Sequence, residues 1–122
     1  MGTLEFSVDD LMLLSYIVDM SNKKPAKIAN LMKLVMEAVS SGRFYDTRHA
    51  SERQSQRKIT RPEMLQVLKA GFHEKRKDKF DENFNTWNYA IRGKTVDTKE
   101  LRIIVSFDEN NMLIITAIDL GL

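Results

Sequence analysis

No cysteine occurs in the 122 residues of this chain. That excludes a disulfide framework, a thiolate metal site and a thiol nucleophile, and it suits a reducing compartment, so a cytoplasmic location is expected. Glycine is scarce too, with five residues isolated at positions 2, 42, 71, 93 and 121. No phosphate-cradling loop or dinucleotide fingerprint is therefore present, and no serine sits in a nucleophile-elbow pattern. Long apolar runs are also missing. The richest stretch, around Leu11 to Leu14, is bracketed by Asp9, Asp10 and Asp19, far short of the roughly 20 apolar residues a membrane helix needs. Its acidic flanks do not suit a signal peptide, and no membrane partner is expected. The two histidines, His49 and His73, stand apart without a carboxylate pattern around either, so neither a metal site nor any other cofactor is expected.

What the chain does contain fits one domain over residues 1–122, because a length near 100 to 150 residues supports a single core. The net charge of +2 is unevenly spread. Residues 1–42 carry a net −1, residues 43–79 carry 11 basic against 5 acidic side chains, and residues 80–122 carry a net −3. A basic middle third is what phosphate-backbone binding uses. It is equally what keeps a loop or sheet edge solvated, above all at Lys75, Arg76, Lys77 and Lys79.

Ser7 and Asp10 precede Leu11, Leu14, Ile17 and Val18, a capped helix start with helical spacing behind it. Met12, Leu13, Tyr16 and Met20 make that helix apolar nearly all round, so it must be buried in the core or against another chain. Pro25 reads as an early residue of a second helix, in which Ile28, Leu31, Met32, Val35, Met36 and Val39 recur until Ser40, Ser41 and Gly42 stop it. A short link, 43–47, leads to a helix-forming segment with almost no apolar residue. Thr60, Pro62 and Glu63 then mark a capped helix with Met64, Leu65, Val67 and Leu68 on its buried face and Gly71 at its end. Beyond Phe72 the period changes to two: Trp87, Tyr89 and Ile91, then Leu101, Ile103, Val105 and Phe107, alternate with mostly polar neighbours. Asp108 to Asn111 forms a tight connection to a last strand at Met112 to Asp119, and a further strand is expected near Phe72 to Lys77. The predicted class is α+β, N-terminal helices packed on a C-terminal antiparallel sheet of three to four strands.

The segment 48–59 is the chemically informative one. On a helix His49, Arg53 and Arg57 recur every four residues and share one stripe, while Arg48 and Glu52 pair on the next. An imidazole beside two guanidiniums handles phosphodiesters: the arginines hold the phosphate and its transition-state charge, and the histidine moves a proton near neutral pH. The same spacing also describes a solvent-facing helix laced by ion pairs. Trp87 and Tyr89 divide similarly between stacking on RNA bases and packing in the core.

The pattern H-A-x-E-R-x-x-x-R-x-I from His49 to Ile59, the capped helix ending Leu68-Lys69-Ala70-Gly71 and the strands ending in IVSFDENNMLIITAI resemble the bacterial family called domain of unknown function 4258. That family is similar in fold to the RelE-like toxin ribonucleases, with relatives of the MqsR and BrnT type. The resemblance runs from about Phe44 to Asp119 and leaves residues 1–42 as a helical extension of a toxin-like unit, 43–122. It implies a RelE-like fold and a metal-independent endoribonuclease of a toxin–antitoxin pair, using the 2′-hydroxyl of RNA as nucleophile. His49, Arg53, Arg57 and Thr116 would form the site, with Tyr89 and Arg92 in support from a neighbouring strand. Arg48, Lys58, Lys75, Arg76 and Lys77 would contact RNA, Lys58 standing where a glycine is frequent. The alternative is a non-catalytic RNA-, DNA- or protein-binding module of the same fold. Besides RNA, the expected partner is an antitoxin or a second copy of the chain, met through the N-terminal helix.

Overall fold

A computed structural model describes residues 24–47, 50–52, 59–109 and 111–121. The helix expected around Leu11 to Val18 lies outside these residues. The first described segment, Lys24 to Ile28, is a strap without regular secondary structure. Pro25 does not start a helix. Its carbonyl instead accepts a hydrogen bond from Trp87 Nε1–H (2.8 Å), and the Ile28 N–H donates to the Tyr89 hydroxyl (3.0 Å), so the backbone is committed to side chains of a later strand.

Helix α1 spans Leu31–Ser41 and buries Leu31, Val35 and Ala38, spaced as one face of a helix requires. Gly42 ends it in the left-handed region (φ 73°), returning its N–H to the Ala38 and Val39 carbonyls. Helix α2, Arg61–Ala70, begins with the expected capping box: Thr60 Oγ1 accepts from Glu63 N–H and Glu63 accepts from Thr60 N–H. Met64, Val67 and Leu68 are its buried apolar residues. At Gly71 a Cβ would lie 2.5 Å from both the Arg92 and the Val67 carbonyl oxygens, so only glycine lets the helix end seat against the sheet.

The sheet has six strands: β1 Phe44–Asp46, β2 Phe72–His73, β3 Lys79–Asp81, β4 Thr86–Lys94, β5 Glu100–Phe107 and β6 Met112–Asp119. Their order is β1-β6-β5-β4-β2, with β3 also on β4. This corrects the expected three to four antiparallel strands. The link 43–47 is itself a strand, paired parallel to β6 in the register Phe44↔Met112, so the sheet is mixed, though mostly antiparallel. The expected strand at 72–77 is two residues long, then turns into one 3-10 turn, Lys75–Lys77, before β3 resumes on the same edge of β4.

That excursion leaves part of the β4 edge without a partner strand, and side and main chains of the 3-10 segment fill it. Glu74 N–H donates to the Ala90 carbonyl (2.8 Å), and Ala90 N–H donates to Asp78 Oδ1 (3.0 Å). Between Ile104↔Thr116 and Val105↔Ile114 the β5–β6 register shifts by one, making Ile115 a bulge. Its carbonyl accepts from Thr47 Oγ1 (3.2 Å).

The α-helices lie on one face of this sheet. There Tyr89, Ile91, Leu101, Ile103, Val105, Met112, Ile114 and Ala117 join the helical residues and Ala50 and Ile59 in one buried cluster. The opposite, far face carries Asn88, Ala90, Arg92, Arg102, Ile104, Ser106, Leu113, Thr116 and Ile118, as the pairing of β4, β5 and β6 dictates.

Candidate functional site

The cross-strand register brings two arginines face to face. Arg92 on β4 pairs directly with Arg102 on β5, an arrangement that like charges oppose. Glu74, at the start of the 3-10 turn and only 5% exposed, resolves it. Its Oε1 accepts from Arg102 Nε (2.6 Å) and its Oε2 from Arg92 Nη1 (2.9 Å), while Arg92 Nε donates to Glu100 (2.8 Å). The hydrogen bond from Arg102, against the cost of burial and aided by Arg92, holds the Glu74 carboxyl down to about 2. Glu100 is lowered in the same direction by Arg92. A carboxyl so strongly held stays ionised and cannot accept a proton near neutral pH.

Beside this pair lies a cleft of about 320 Å³ lined by Lys77, Lys79, Asn88, Arg102, Thr116 and the apolar Ile104 and Ile118. Lys77 and Lys79 are exposed. Arg102 spends Nε on Glu74, which fixes the guanidinium plane against the sheet. Cations, an amide and a hydroxyl over a rigid sheet make a site for an anion with polar edges, such as a phosphodiester.

The expected site residues distribute unequally over the two faces. Arg92, Thr116 and Lys77 fall on or beside this cleft, whereas Lys75 and Arg76 are exposed on the 3-10 turn, with Arg76 4.0 Å from Glu74. Tyr89 lies on the helix-bearing face, 3% exposed, its ring edge-on to His73 (5.8 Å) and Phe107 (6.4 Å). The sheet therefore separates Tyr89 from Arg92 and Thr116. Arg48, His49, Arg53, Arg57 and Lys58 lie outside the described residues. Beside them, Thr47 Oγ1 accepts from Ala50 N–H (3.2 Å), Ser51 N–H donates to the Thr47 carbonyl, and Ala50 and Ile59 are both buried.

The reading of the sequence missed Glu74 and Arg102, since only the register shows that two arginines oppose each other and need an anion. A second cluster was missed as well. Asp78, its side chain fully buried, accepts at Oδ2 from both His73 Nε2 (2.8 Å) and Lys27 Nζ (3.1 Å) while Oδ1 takes Ala90 N–H. Lys27 also lies 4.6 Å over the Trp87 ring. This cluster ties the strap to the sheet edge. Because Asp78 completes the backbone ladder, its carboxylate is structural.

A family model matches residues 47–119, from the Thr47 cap to the end of β6. The chain belongs to the family described as Domain of unknown function (DUF4258). No curated protein and no solved structure matches the chain significantly. The DUF4258 unit thus includes the whole cleft and all the arginine–glutamate pairs, while the strap, α1 and β1 precede it. Among the described residues no helix is long and apolar enough to cross a membrane.

Proposed function

We propose that this DUF4258 protein is an RNA-binding endoribonuclease of the toxin type, which holds a phosphodiester in the cleft of the far face. The observation that supports it is the convergence of Lys77, Lys79, Arg102, Asn88 and Thr116 on one rigid sheet surface. Arg102 and the two lysines hold the phosphate; Arg53 and Arg57 add charge at the scissile group; His49 takes the proton of the RNA's 2′-hydroxyl, whose oxygen attacks the adjacent phosphorus as the P–O5′ bond breaks, leaving a 2′,3′-cyclic phosphate and a 5′-oxygen that is protonated by water to the 5′-hydroxyl. Arg92, bound to Glu74 and Glu100, positions Arg102 through their shared carboxylate. Tyr89 supports the fold by receiving the strap.

The test is incubation of the purified protein with total RNA in the presence of a chelator, wild type against His49→Ala and Arg102→Gln. The reading requires cleavage products with 2′,3′-cyclic phosphate ends from the wild type, lost in His49→Ala, and weakened RNA binding in Arg102→Gln. A specific observation favours a second reading, a binding module without catalysis: Glu74, the buried carboxylate that Arg92 and Arg102 share, is held too acidic to serve as a base. Binding that persists in His49→Ala, with no cleavage by either protein, selects that module.

A further inference from the structure

The far face continues past the cationic cleft. Next to the cleft, and sharing Asn88 with it, lies a larger groove of about 510 Å³, walled by Phe84, Leu113 and Ile115 and rimmed by Asp81, Thr86 and Asn88. That volume falls within the roughly 300 to 1,000 Å³ of small-molecule sites, and apolar walls with a few polar groups are their usual make-up. The strand register explains how groove and cleft meet. Lys79 pairs with Asn88 and Asp81 with Thr86, so these four side chains share the far face on two rungs of the β3–β4 ladder. Two residues of strand separate the rungs, about 7 Å. Over that distance the charge changes sign, from Lys79 at the cleft to Asp81 at the groove.

Phe84 owes its place to the same aspartate. In the connection between β3 and β4, Asp81 Oδ1 accepts from Asn83 N–H (2.9 Å) and Phe84 N–H (3.3 Å), and Asn85 passes through the left-handed region (φ 50°) on the way into β4. The tip therefore has a defined backbone, yet it holds the Phe84 ring 79% exposed and outside the core cluster. With Leu113 and Ile115 the ring makes one apolar surface, which distinguishes it from an isolated exposed side chain. An aromatic face beside a row of cations is how single-stranded nucleic acid is held, phosphates on the cations and bases stacked on the rings. Charge decides which part of a nucleotide suits which half. The carboxylates of Asp81 and Asp108 line the groove and repel a phosphate, whereas Lys77, Lys79 and Arg102 line the cleft and attract one. One nucleotide covers the step between the two rungs, from its phosphate to its base.

We infer that the groove takes an unstacked base of the RNA strand whose phosphate occupies the cleft, the base stacking on Phe84 and being read by Asp81; this rests on the phosphodiester reading of the cleft. Asp81 Oδ2 has no partner among the described residues, so it is the acceptor for an exocyclic amine, as carboxylates are for the N4 amine of cytosine. Uracil carries a carbonyl oxygen at that position, which the carboxylate repels. The groove prefers cytosine to uracil.

The test is fluorescence anisotropy with labelled 2′-O-methyl octamers of cytidine and of uridine, which have no free 2′-hydroxyl and resist cleavage, beside an octamer of abasic tetrahydrofuran phosphates. Phe84→Ala removes a ring that already lies in solvent; it is expected to weaken binding of the cytidine octamer roughly tenfold and to leave the abasic octamer unchanged. Arg102→Gln weakens both alike. The wild type holds cytidine several-fold tighter than uridine, and Asp81→Asn, which keeps Oδ1 for the tip but replaces Oδ2 with an amide donor, shifts the preference toward uridine. Unchanged cytidine affinity in Phe84→Ala, with Arg102→Gln still weakened, overturns the base site and spares the cleft; if that variant also lowers the sedimentation coefficient, the groove is an interface between copies. Equal losses of cytidine and abasic octamers in Phe84→Ala overturn it too, and equal wild-type affinities for cytidine and uridine overturn the role of Asp81. If no octamer binds the wild type, or Arg102→Gln changes nothing, the phosphodiester reading itself fails and the base site falls with it.

Discussion

The two faces of the sheet are built from the same three strands and obey opposite rules. Toward the helices the β5 residues Leu101, Ile103 and Val105 are fully buried, and only Phe107 at the strand's end is half-buried. On the far face Arg102 and Ile104 are half-buried, Ser106 alone among the alternate positions is buried, and order comes from ion pairs to one buried carboxylate. The first face gains stability from area removed from water, which is indifferent to partner identity. The second depends on pairing, which fails when one member is lost. Stability and binding are therefore separable by parity along a single strand.

Adjacent isoleucines put this to the sharpest test. Ile103→Ala opens a cavity in a closed core and should cost about 3–4 kcal/mol, whereas Ile104→Ala on the cleft floor should cost about 1 kcal/mol, because solvent and neighbours fill the space. Urea unfolding of the pair measures both; equal costs would erase the distinction between the faces. Glu74→Ala comes next. It leaves Arg92 and Arg102 opposed without their shared acceptor and should destabilise by about 3 kcal/mol, read from the same unfolding midpoints.

How far this contrast was legible in the sequence depends on whether the signal is local. Gly42, the Thr60–Glu63 capping box and the alternation in β4 and β5 are short-range patterns, and the structure has them where they were read. Strand β1 has only three residues and pairs with a strand nearly 70 positions away, so no periodicity announces it. Pro25 looked like a helix start because the partners that hold the strap, Trp87 for Pro25 and Tyr89 for Ile28, are similarly remote. The site divides in the same way. Thr116 and Lys77 could be named, but Arg102 and Glu74 acquire meaning only through register, and the bulge at Ile115 shifts the parity of β6 between Ile114 and Ala117. Tyr89 shares a strand with Arg92 yet differs in parity, which the assignment of both to one site overlooked.

Acid should expose the ionic face before the apolar one. Glu74 is lowered from 4.5 to about 2, so the folded state favours its charged form. Its contribution is fully present above about pH 4.5 and is lost as pH falls toward 2, the unfolded chain then binding the proton that the folded chain refuses. After solvent screening the effect is on the order of 2 kcal/mol. Glu63, lowered by the Thr60 N–H, adds to it in the same direction. Melting temperatures of wild type and Glu74→Gln between pH 6 and 2.5 should converge as pH falls, the variant showing the shallower decline. Parallel curves would mean that the arginine pair does not depend on the ionised carboxylate.

The smallest stability effect belongs to the residues expected to matter most for RNA. Lys77 and Lys79 are exposed, and neither takes part in the Glu74 ion pairs, so Lys77→Ala and Lys79→Ala should each change stability by no more than about 0.5 kcal/mol. Binding should respond differently. Each phosphate contact to a single strand releases condensed counterions and steepens the dependence of log affinity on log salt by roughly 0.7. The double variant should therefore bind RNA more weakly at low salt and show a slope shallower by up to about 1.4, while Lys69→Ala, a cation at the far end of α2, leaves the slope unchanged. Fluorescence anisotropy with a labelled single strand over a salt series supplies both numbers. If the slope falls equally in Lys69→Ala, the protein attracts RNA only through its general basic charge, and the cleft loses its claim to be the binding surface.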